Sequence, residues 1–520
     1  MNIVMVASEN DALPGGKVGG IGDVVRDIPP ALGDQGHRVN VITPDYGVFS
    51  RLPGAELRGS VEVLFAGKTE RVVICTVPAK TPHHNVLLWV LEHPLFAGQG
   101  GGAIYCDDPA DRPFATDATK FALFCTAVCQ AIADEHFGKP DVLHLHDWHA
   151  AMVAILLAFD PQYHKLQRIH SVFTIHNLAL QGIRPLSGDE SSLEAWFPNL
   201  KYDHGPIHDP RVSHCINLMR SGLNLCRKVH AVSPSYATEI ITSSNHDQGY
   251  FGGEGLEKDL QQAAEDSRLY GILNGCDYPP KQNQVRSLSE LISQCERELL
   301  TWIAAQPSVE SAHLVPLQNL TRYLRADSSH QPFVVTSVGR VTEQKVLILC
   351  QEMANGQSAL EHLLDMLGED GIFLMLGSGD RELELFLTRV AARKANFIFL
   401  RGYSESLANA LYEGGDLFLM PSSFEPCGIS QMLAMRAGQP CLVHGVGGLR
   451  DTVKHNENGF VFSGNSLIAQ AMNMLKRCKE VIGIHDSQLE QWQVISKQAA
   501  RERFLWSSVA KEYVKLLYRS

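Results

Sequence analysis

The sequence predicts an α/β protein made of two doubly wound domains, each a mostly parallel sheet with helices on both faces. Its 520 residues exceed what one hydrophobic core usually organises, so two large domains are expected. Short β-branched runs alternate with amphipathic helical stretches, which is typical of parallel sheets. The alternation breaks at Pro279 and begins again at Phe333, so both halves are predicted to have the same kind of fold.

The β-branched runs predict strands at similar spacing in both halves. In the first half they are residues 3–8, 39–43, 86–91, 142–146, 171–176 and 228–232. In the second half they are residues 333–338, 372–377, 397–401, 417–420 and 440–443. Ligands of doubly wound sheets bind beyond the carboxyl ends of the strands, so two such domains facing each other would hold a ligand in the cleft between them.

The segment between the two halves differs from both. Residues 279–331 begin with two prolines, include two amphipathic helical runs (287–304 and 314–325) and end in a polar stretch. We therefore predict a first domain (residues 1–280), a helical linker (281–330), a second domain (331–500) and a C-terminal helix (501–520).

Composition excludes several classes of protein. Apolar residues make up 45% and charged residues 20%, as in ordinary globular proteins, and the net charge of −12 argues against a nucleic acid partner. No apolar run has membrane-spanning length, and the first residues predict a buried strand and not a signal peptide, so no membrane partner is expected. The twelve cysteines are scattered without a C-x-x-C pair, which predicts a reducing cytoplasm and core positions for Cys125 and Cys129.

A glycine-rich loop with one lysine, residues 15–24, follows the first strand. Glycines let the backbone approach a ligand closely, and Lys17 would supply a positive charge for phosphate. The spacing matches neither the phosphate loop G-x-x-x-x-G-K-[ST] nor the G-x-G-x-x-G fingerprint. A plain strand-to-helix turn is therefore an equal alternative.

Histidines follow two further strands. His144 and His146 would share a strand face with His149 nearby, which makes a zinc hydrolase a competing class. No carboxylate or cysteine set of the second half completes a ligand shell, and imidazole beside Asp147 also suits sugar hydroxyls, so no metal is predicted. His176 ends another strand, where a hydrogen-bonded structural histidine is the alternative.

Charged residues and glycines also follow strands of the second half. Arg340 and Lys345 flank a strand-to-helix turn and can converge on one anion, with two solvated surface charges as the alternative. Glu425 lies between a strand and an apolar helix, where an acid is uncommon unless it caps the helix or binds a ligand. Gly447 and Gly448 open a helix whose backbone N–H groups would hold a diphosphate.

In this order the motifs resemble those of the bacterial glycogen synthases and starch synthases of the ADP-glucose type, which are retaining glycosyltransferases of family 5. The matching motifs are K-x-G-G-[LI]-[AG]-D at 17–23, H-D-W-H-A at 146–150, H-N-L-A-x-Q-G at 176–182, V-S-P-x-Y-A at 232–237, L-N-G-x-D at 273–277 and E-P-C-G-[LI]-[ST]-Q at 425–431. The final residues, around Phe504 and Tyr513, resemble the closing segment of the family, which crosses back to the first domain.

The resemblance implies two Rossmann-like domains across a deep cleft, the GT-B arrangement. The implied reaction transfers glucose from ADP-glucose to the 4-hydroxyl at the non-reducing end of an α-1,4-glucan such as glycogen, with retention, and releases ADP. It implies no metal and no cofactor beyond the sugar nucleotide, and it makes domain closure part of catalysis. No oligomeric state is predicted.

Residue roles follow from the same resemblance. The implied catalytic set is Asp147, His176, Arg340, Lys345 and Glu425. Within it, Arg340 and Lys345 match the phosphate-contacting pair, and Glu425 would orient the glucose by accepting its hydroxyl hydrogens. His176 would lie near the anomeric carbon and Asp147 near the sugar or acceptor. The resemblance assigns to substrate binding Lys17, Gly19, Gly20, Asp23, Asn177, Gln181, Asn274, Tyr403 (against adenine), Cys427, Gly428, Ile429, Ser430, Gly447, Gly448 and Leu449.

Some positions depart from the family pattern. Ser423 stands where many members have arginine, Val346 replaces a glycine, and Ala118 and Lys120 stand where asparagine and arginine are common. A related transferase using UDP-glucose or another acceptor, and a glucan-binding relative without activity, are therefore the alternatives. The charged residues expected around the phosphates and the sugar are all present, which favours an enzyme.

Overall fold

The computed structural model describes residues 1–98, 100–278, 287–325 and 332–519, which form two compact units. The first unit holds Met1–Ser244, Gly252–Asp277 and Leu505–Ser520, and the second holds Asn245–Phe251 and Tyr278–Phe504. Residues 281–286 and 326–330 of the predicted linker lie outside the described residues.

The first unit is built on one large sheet. Its strands are β1 (Asn2–Val6), β2 (Arg38–Pro44), β3 (Glu56–Phe65), β4 (Lys68–Val77), β5 (Val86–Glu92), β6 (Val142–His146), β7 (His170–Ile175), β10 (Lys228–Ala231) and β11 (Leu269–Gly271). Two short strands between β7 and β10 in the chain, β8 (Ile183–Pro185) and β9 (Cys215–Asn217), pair separately with each other. The order is β11-β10-β7-β6-β1-β2-β5-β4-β3. The predicted first-half strands are confirmed as β1, β2, β5, β6, β7 and β10, which pair in parallel with their neighbours among these six.

Helices cover this sheet. They are α1 (Gly20–Gly33), α2 (Ala115–Ala133), α3 (Asp147–Ala150), α4 (Met152–Phe159), α5 (Leu193–Trp196), α6 (Leu218–Leu225), α7 (Pro234–Glu239) and α8 (Glu257–Glu265). Helix α2 is buried along most of its length, and its Cys125 and Cys129 are fully buried, so their predicted core positions are confirmed.

The sequence did not reveal the antiparallel edge of this sheet. Strands β3 and β4 form a hairpin whose two-residue turn, Ala66 and Gly67, has positive φ angles of 49° and 73°. A turn with two positive φ angles matches the twist of hairpin strands. Strand β4 then pairs antiparallel with β5, so the sheet is mixed at this edge and parallel elsewhere.

The second unit is built on a six-stranded sheet. Its strands are β12 (Phe333–Val338), β13 (Gly371–Gly377), β14 (Phe397–Arg401), β15 (Leu417–Met420), β16 (Cys441–His444) and β17 (Gly459–Phe462). All pairs are parallel in the order β14-β13-β12-β15-β16-β17, which is the 3-2-1-4-5-6 order of a dinucleotide-binding sheet. The five predicted strands are confirmed, and β17 was missed, since it begins at Gly459, a residue type that is depleted in strands.

Ten helices are described in the second unit. They are α9 (Leu288–Ala304), α10 (Ser311–Arg325), α11 (Glu343–Cys350), α12 (Ala359–Leu367), α13 (Arg381–Arg393), α14 (Glu405–Gly414), α15 (Ser430–Ala437), α16 (Gly447–Thr452), α17 (Leu467–Ser487) and α18 (Leu489–Ala499). Helix α9 places Leu291, Cys295 and Leu299 in the same core cluster as Leu374 and Leu400 of the sheet. The helical runs of the predicted linker are therefore a layer of the second unit.

The C-terminal segment belongs to the first unit. It consists of α19 (Trp506–Glu512) and a π-helical turn, Tyr513–Leu517. The indole Nε1 of Trp506 donates to Asp27 of α1 at 3.1 Å, and a Cβ on Gly275 would lie only 2.6 Å from the indole ring. The predicted return of the C-terminal helix to the first domain is confirmed. Across the described ranges, no helix is both long and apolar enough for a membrane span.

Candidate active site

The strand order of the second unit brings two loops together. The sheet reverses its winding between β12 and β15, which are hydrogen-bonded neighbours although about 80 residues separate them in the chain. The loop after β12 leads through Arg340 to Lys345, and the loop after β15 leads to Glu425. Ligands of doubly wound sheets bind at such a reversal, so this is the expected ligand site of the unit.

Glu425 and Lys345 form an ion pair at this place. The ammonium Nζ of Lys345 contacts Glu425 Oε2, and the Ser422 hydroxyl donates to the same carboxylate oxygen at 3.0 Å. The Glu425 side chain is 8% exposed and that of Lys345 is 22% exposed, so the pair is largely shielded from water. The sequence predicted that both residues belong to a site but did not indicate this contact. The Glu425 carboxylate is held between the Lys345 ammonium and the Ser422 hydroxyl.

A second set of hydrogen bonds ties the two loops together. The backbone N–H and the hydroxyl of Ser423 donate to the Gln344 carbonyl at 2.8 and 3.1 Å, and the Gln344 side chain donates back to the Phe424 carbonyl at 2.9 Å. Ser423, the residue that replaces the arginine of the family pattern, is buried under the loop that leads to Lys345. Its role in the structure is to hold this loop against the Glu425 loop.

We expect Ser423→Ala to lower the free energy of unfolding by about 1 kcal/mol, because the hydroxyl bond is lost while the backbone bond to Gln344 remains. Chemical denaturation measures this difference, and Ser423→Thr, which keeps a hydroxyl, is the matched control. Turnover should stay within about threefold of the parent protein, since the reacting groups keep their places. A large loss of turnover with unchanged stability would contradict a purely connecting role for Ser423.

Helix α15 begins beside Glu425 with unused backbone donors. The N–H groups of Ser430 and Gln431, in its first turn, donate to no acceptor in the part of the chain that the structure describes. The positive end of the helix dipole and these N–H groups together favour an anion. Gly428, with φ of 79°, makes the turn into the helix, and Cys427 lies buried before it. Ile429 and Ser430 therefore lie at a helix start whose backbone donors and dipole favour an anion.

The glycine turn at the start of α16 has a different role from the predicted one. The Gly448 N–H donates to the Glu425 carbonyl at 3.0 Å and the Leu449 N–H donates to the Val446 carbonyl at 3.1 Å. A Cβ on Gly447 would overlap the Glu425 carbonyl, and Gly447 has a positive φ of 43°. The prediction that the amides of Gly448 and Leu449 hold a diphosphate needs correction, because the protein already uses them. The turn supports the backbone of Glu425.

Arg340 and Tyr403 are exposed around the same strand ends. Arg340 follows β12 and forms no ion pair with any residue in the described ranges, so its guanidinium is available to an anion. Tyr403 follows β14 and its side chain is 71% exposed. An exposed tyrosine at the carboxyl end of a strand offers a flat surface to an aromatic ligand.

The first unit has its own reversal of strand order, between β1 and β6. Glu9 follows β1, and its Oε2 accepts the backbone N–H groups of Val18 and Gly19 at 2.8 and 2.6 Å, while Tyr105 donates to its Oε1 at 2.7 Å. The sequence analysis missed Glu9. Its signal was an acid directly after a buried strand, the same signal that identified Glu425.

The charged residues of the glycine-rich loop pair with each other. Lys17 contacts Asp23 at 2.6 Å, and Arg26 lies 3.3 Å from the same carboxylate. The Lys17 side chain is 37% exposed. Gly19 and Gly20 lie where α1 begins, and the Gly19 N–H is held by Glu9. The loop is therefore shaped by carboxylates of its own unit.

Asp147, at the end of β6, is buried in an unusual backbone conformation. Its φ is 55°, a left-handed value that is uncommon for residues other than glycine. Its Oδ1 accepts the His176 N–H at 2.7 Å, which joins the ends of β6 and β7. Burial raises the pKa of Asp147 to about 8, against the opposing effect of the backbone N–H groups of His176 and Asn177. The carboxyl is therefore mostly protonated at neutral pH.

This raised pKa predicts a pH-dependent stability. A carboxyl with a folded pKa above its unfolded value of about 4 stabilises the fold fully below pH 4, and this contribution is lost as the pH rises to about 8. Relative to Asp147→Asn, the parent protein should lose up to about 4 kcal/mol of unfolding free energy between pH 4 and 8. Denaturant titrations across this range measure the difference. Substitution of the exposed Asp266 by Asn should leave the profile unchanged, and parallel curves for parent and Asp147→Asn would contradict the assignment.

The histidines near the strand ends of the first unit form hydrogen bonds with protein groups, and their nitrogen atoms do not point toward a shared metal position. His144 bonds to Thr174 and Tyr518, and His146 bonds to His176. Among the described residues, no three histidine, cysteine, aspartate or glutamate side chains converge in a way that could hold a metal ion. Burial lowers the pKa of all these histidines, so their rings are neutral.

Three further predicted residues lie near these strand ends with different surroundings. The Asn177 side chain accepts the Ala179 N–H at 3.0 Å and shapes its own turn. The side-chain amide of Gln181 is buried, and both of its polar atoms are hydrogen-bonded. Its oxygen accepts from Asn217 at 2.6 Å, and its nitrogen donates to backbone carbonyls. Asn274 is 4% exposed, and its buried Oδ1 contacts no hydrogen-bond donor in the described ranges.

The two residues of α2 that depart from the family pattern are both buried. Ala118 is fully buried, and Lys120 is 1% exposed, with its ammonium bonded to Asp117 at 2.6 Å and to the Ile104 carbonyl at 2.5 Å. The same ammonium lies 4.9 Å from the centre of the Phe121 ring. Both positions therefore contribute to the core of the first unit.

Comparison with known proteins agrees with this geometry. The family described as "Starch synthase catalytic domain" matches residues 2–262, half of the chain, and the family described as "Glycosyl transferases group 1" matches residues 325–481. A glycogen synthase of Streptococcus equi subsp. equi (strain 4047) is 31% identical over 539 residues that cover 100% of both chains. The chain belongs to the glycogen synthase and starch synthase family. It is a glycosyltransferase with the GT-B fold.

Other members of the family extend this similarity over the whole chain. The glycogen synthase of Acholeplasma laidlawii (strain PG-8A) is 28% identical and covers 99% of this chain and 98% of its own. The catalytic domain of starch synthase IV from Arabidopsis thaliana, solved bound to ADP and acarbose, superposes with a TM-score of 0.75 at 24% identity over 99% of this chain and 98% of that domain. At this identity the superposition shows a shared fold.

Proposed function

We propose that the protein is a glycogen synthase that transfers glucose from ADP-glucose to the non-reducing-end 4-hydroxyl of an α-1,4-glucan, with retention of anomeric configuration. The observation that carries the proposal is the Lys345–Glu425 pair at the strand reversal of the second unit. A buried carboxylate held beside a cation, next to the start of a helix, suits a ligand that joins a sugar to a diphosphate.

Three features support a diphosphate in the second unit. Arg340 lies on the loop after β12 and Lys345 in the first turn of α11, which follows that loop, and guanidinium and ammonium groups bind phosphate in complementary ways. The free N–H groups at the start of α15 add donors that do not depend on side chains. Tyr403, exposed at the end of β14, would stack on the adenine.

The proposed chemistry uses charge more than covalent bonding. When the bond from the anomeric carbon to the phosphate oxygen breaks, negative charge develops on the diphosphate and positive charge on the sugar. Lys345 and Arg340 would stabilise the leaving phosphate, and Glu425 would hold the glucose hydroxyls. The acceptor 4-hydroxyl would attack the same face, giving its proton to the departing phosphate oxygen, which accounts for retention without a covalent intermediate. No metal or cofactor takes part in this proposal.

The first unit contributes the strand ends around Asp147 and His176 to the proposal. The support is that Asp147 and His176 directly follow the neighbouring parallel strands β6 and β7, and that Asp147 holds the His176 backbone through one hydrogen bond. Asn274, with its unused Oδ1, is a further candidate for a substrate hydroxyl. The reducing cytoplasm is the compartment that we propose from the scattered cysteines.

Incorporation of radiolabelled glucose into glycogen tests the function. Purified protein is incubated with ADP-glucose and, in parallel, with UDP-glucose, and label in precipitated glucan is counted. We expect incorporation from ADP-glucose at a rate well above that from UDP-glucose. Faster transfer from UDP-glucose would replace the proposed donor, and no transfer from either by folded protein would contradict the proposed activity.

Tyr403→Ala is expected to weaken ADP binding about 5- to 100-fold, because stacking of a base on an aromatic side chain contributes about 1–3 kcal/mol. Tyr403→Phe keeps the flat ring and should bind ADP nearly as the parent does. Calorimetric titration with ADP measures both, and because Tyr403 is 71% exposed, the fold should survive the substitution. Equal affinities for all three proteins would remove Tyr403 from the adenine site.

A further inference from the structure

Two imidazole rings of the first unit contact each other directly. His146 ends β6 and His176 follows β7, and because these strands are paired in parallel the two rings meet. The Nδ1 atom of His146 lies 2.9 Å from the Nε2 atom of His176. Burial lowers the pKa of His146 to about 3 and that of His176 well below its usual value, so both rings are neutral. Each ring therefore carries a single N–H.

The surroundings of His146 decide which ring donates. Its Nε2 atom is buried and contacts no hydrogen-bonding group in the described part of the chain. If His176 were the donor, the hydrogen of His146 would sit on this Nε2 atom as a buried N–H without an acceptor. Orphaned buried N–H groups are rarer than unused acceptors, because the N–H loses its only partner. His146 therefore carries its hydrogen on Nδ1 and donates it to His176.

We infer that His146 is a positioning residue that fixes the tautomer of His176. With its Nε2 atom occupied as an acceptor, His176 carries its hydrogen on Nδ1 and presents a hydrogen-bond donor. The acceptor of this N–H is a hydroxyl or ring oxygen of the transferred sugar, an assignment that rests on the proposed function. His176 then orients the sugar through an N–H and does not remove a proton from it.

A chain of hydrogen bonds holds the neighbouring ring of His144 in one state. The Ile272 carbonyl only accepts, so His230 donates to it from Nε2 at 3.1 Å and uses Nδ1 as an acceptor. The Thr174 hydroxyl, 3.0 Å from that Nδ1, is then the donor to His230. The Thr174 oxygen in turn accepts from His144 Nε2 at 2.6 Å. The Tyr513 hydroxyl lies farther from the same Nδ1, at 3.4 Å, so the bond directions follow from the Ile272 carbonyl together with the shorter Thr174 contact.

The last bond of the chain reaches the C-terminal segment. Since His144 donates from Nε2, its Nδ1 accepts from the Tyr518 hydroxyl at 2.8 Å. The His144 ring, anchored on both sides, stacks on the His146 ring with 4.4 Å between centroids. This stack restrains rotation of the His146 ring, so its Nδ1 stays directed at His176.

Nitrogen NMR of the full-length protein labelled with ¹⁵N-histidine tests the inference without reference to activity. The His176 signals are assigned by their loss in His176→Asn. We expect a protonated Nδ1 and an unprotonated Nε2 for His176 in the parent protein. A protonated Nε2 would overturn the inference, and unchanged signals of the other histidines show that His176→Asn keeps the fold on which the assignment depends.

Two substitutions of His146 supply the comparison. His146→Asn places an amide N–H near the former Nδ1 atom, and it should keep the His176 tautomer and a kcat within about threefold of the parent. His146→Leu has no donor, and it should give a mixed or reversed tautomer with kcat lowered about 10- to 100-fold. An unchanged His176 tautomer in folded His146→Leu would also overturn the inference.

His170→Leu is the matched control for loss of a histidine hydrogen bond. His170 bonds to the Leu517 carbonyl at 2.7 Å and does not contact His176, so neither the tautomer nor kcat should change. If neither ADP-glucose nor UDP-glucose supports glucose transfer, the proposed function fails, while the NMR result still decides the tautomer of His176. The two failures are therefore distinguishable.

Discussion

Glu425→Ala is expected to lower kcat for glucose transfer by about 10²- to 10³-fold, the range seen when one preorganised polar contact to a transition state is removed. The carboxylate would no longer hold the glucose hydroxyls, and Lys345 would lose its fixed partner. Steady-state kinetics with saturating ADP-glucose and glycogen measure the change. A kcat near that of the parent would remove Glu425 from the reaction.

The fold should survive the loss of Glu425. The Gly448 N–H donates to the backbone carbonyl of Glu425, which any residue supplies, and the partly exposed Lys345 can regain water. Asp365→Ala is the matched control, because it breaks a comparable ion pair with Lys394 in the same unit, away from the strand reversal. It should leave kcat unchanged. Glu425→Gln keeps the hydrogen bond from Ser422 and separates the effect of charge from that of hydrogen bonding.

Lys345→Ala is expected to lower kcat by about 10²- to 10³-fold with a smaller change in KM for the donor. Its positive charge is most valuable when the diphosphate departs and carries the most negative charge, so the loss falls on the transition state. Lys345→Arg should restore only part of the rate, because a planar guanidinium does not reproduce the position of an ammonium beside Glu425. An unchanged kcat with a raised KM would indicate a role in binding alone.

A pair of controls distinguishes chemistry from the loss of an ion pair. Lys394→Ala removes the cation of the Lys394–Asp365 pair and should leave turnover unchanged. The double variant Lys345→Ala and Glu425→Ala should lose less activity than the product of the two single losses, because each single variant already disrupts the other residue. Fully multiplicative losses would show that the two residues act independently.

The parallel strands were predictable because each is a short buried run followed by turn residues and a helix. Strands β1 and β12 show this pattern clearly, and the periodicity of the sequence located both. The antiparallel hairpin of β3 and β4 is half exposed at the sheet edge, so its apolar residues alternate with charged ones and give a weaker signal. Strand β17 begins at Gly459, and glycine is depleted in strands, so its signal is weak.

The types of residue in the site were also predictable, since charged and glycine-rich segments follow the strands that carry them. Their partners were not. Neither the contact of Lys345 with Glu425 nor the contact of His146 with His176 follows from spacing in the chain, because 80 and 30 residues separate the partners. Glu9 stands after a strand as Glu425 does, but its acceptor role toward the glycine-rich loop exists only in the folded unit.

By itself the sequence determined the two-domain α/β plan, the family and the strand ends that carry polar residues, because local periodicity and motif order are properties of the chain. The tertiary structure decided which of these residues touch. Strand order sets neighbours, and β12 lies beside β15 and β6 beside β7 only after the helices between them have crossed the sheet. In the folded unit the Gly448 N–H donates to the Glu425 carbonyl, and the Lys345 ammonium contacts the Glu425 carboxylate. No local sequence pattern encodes either contact.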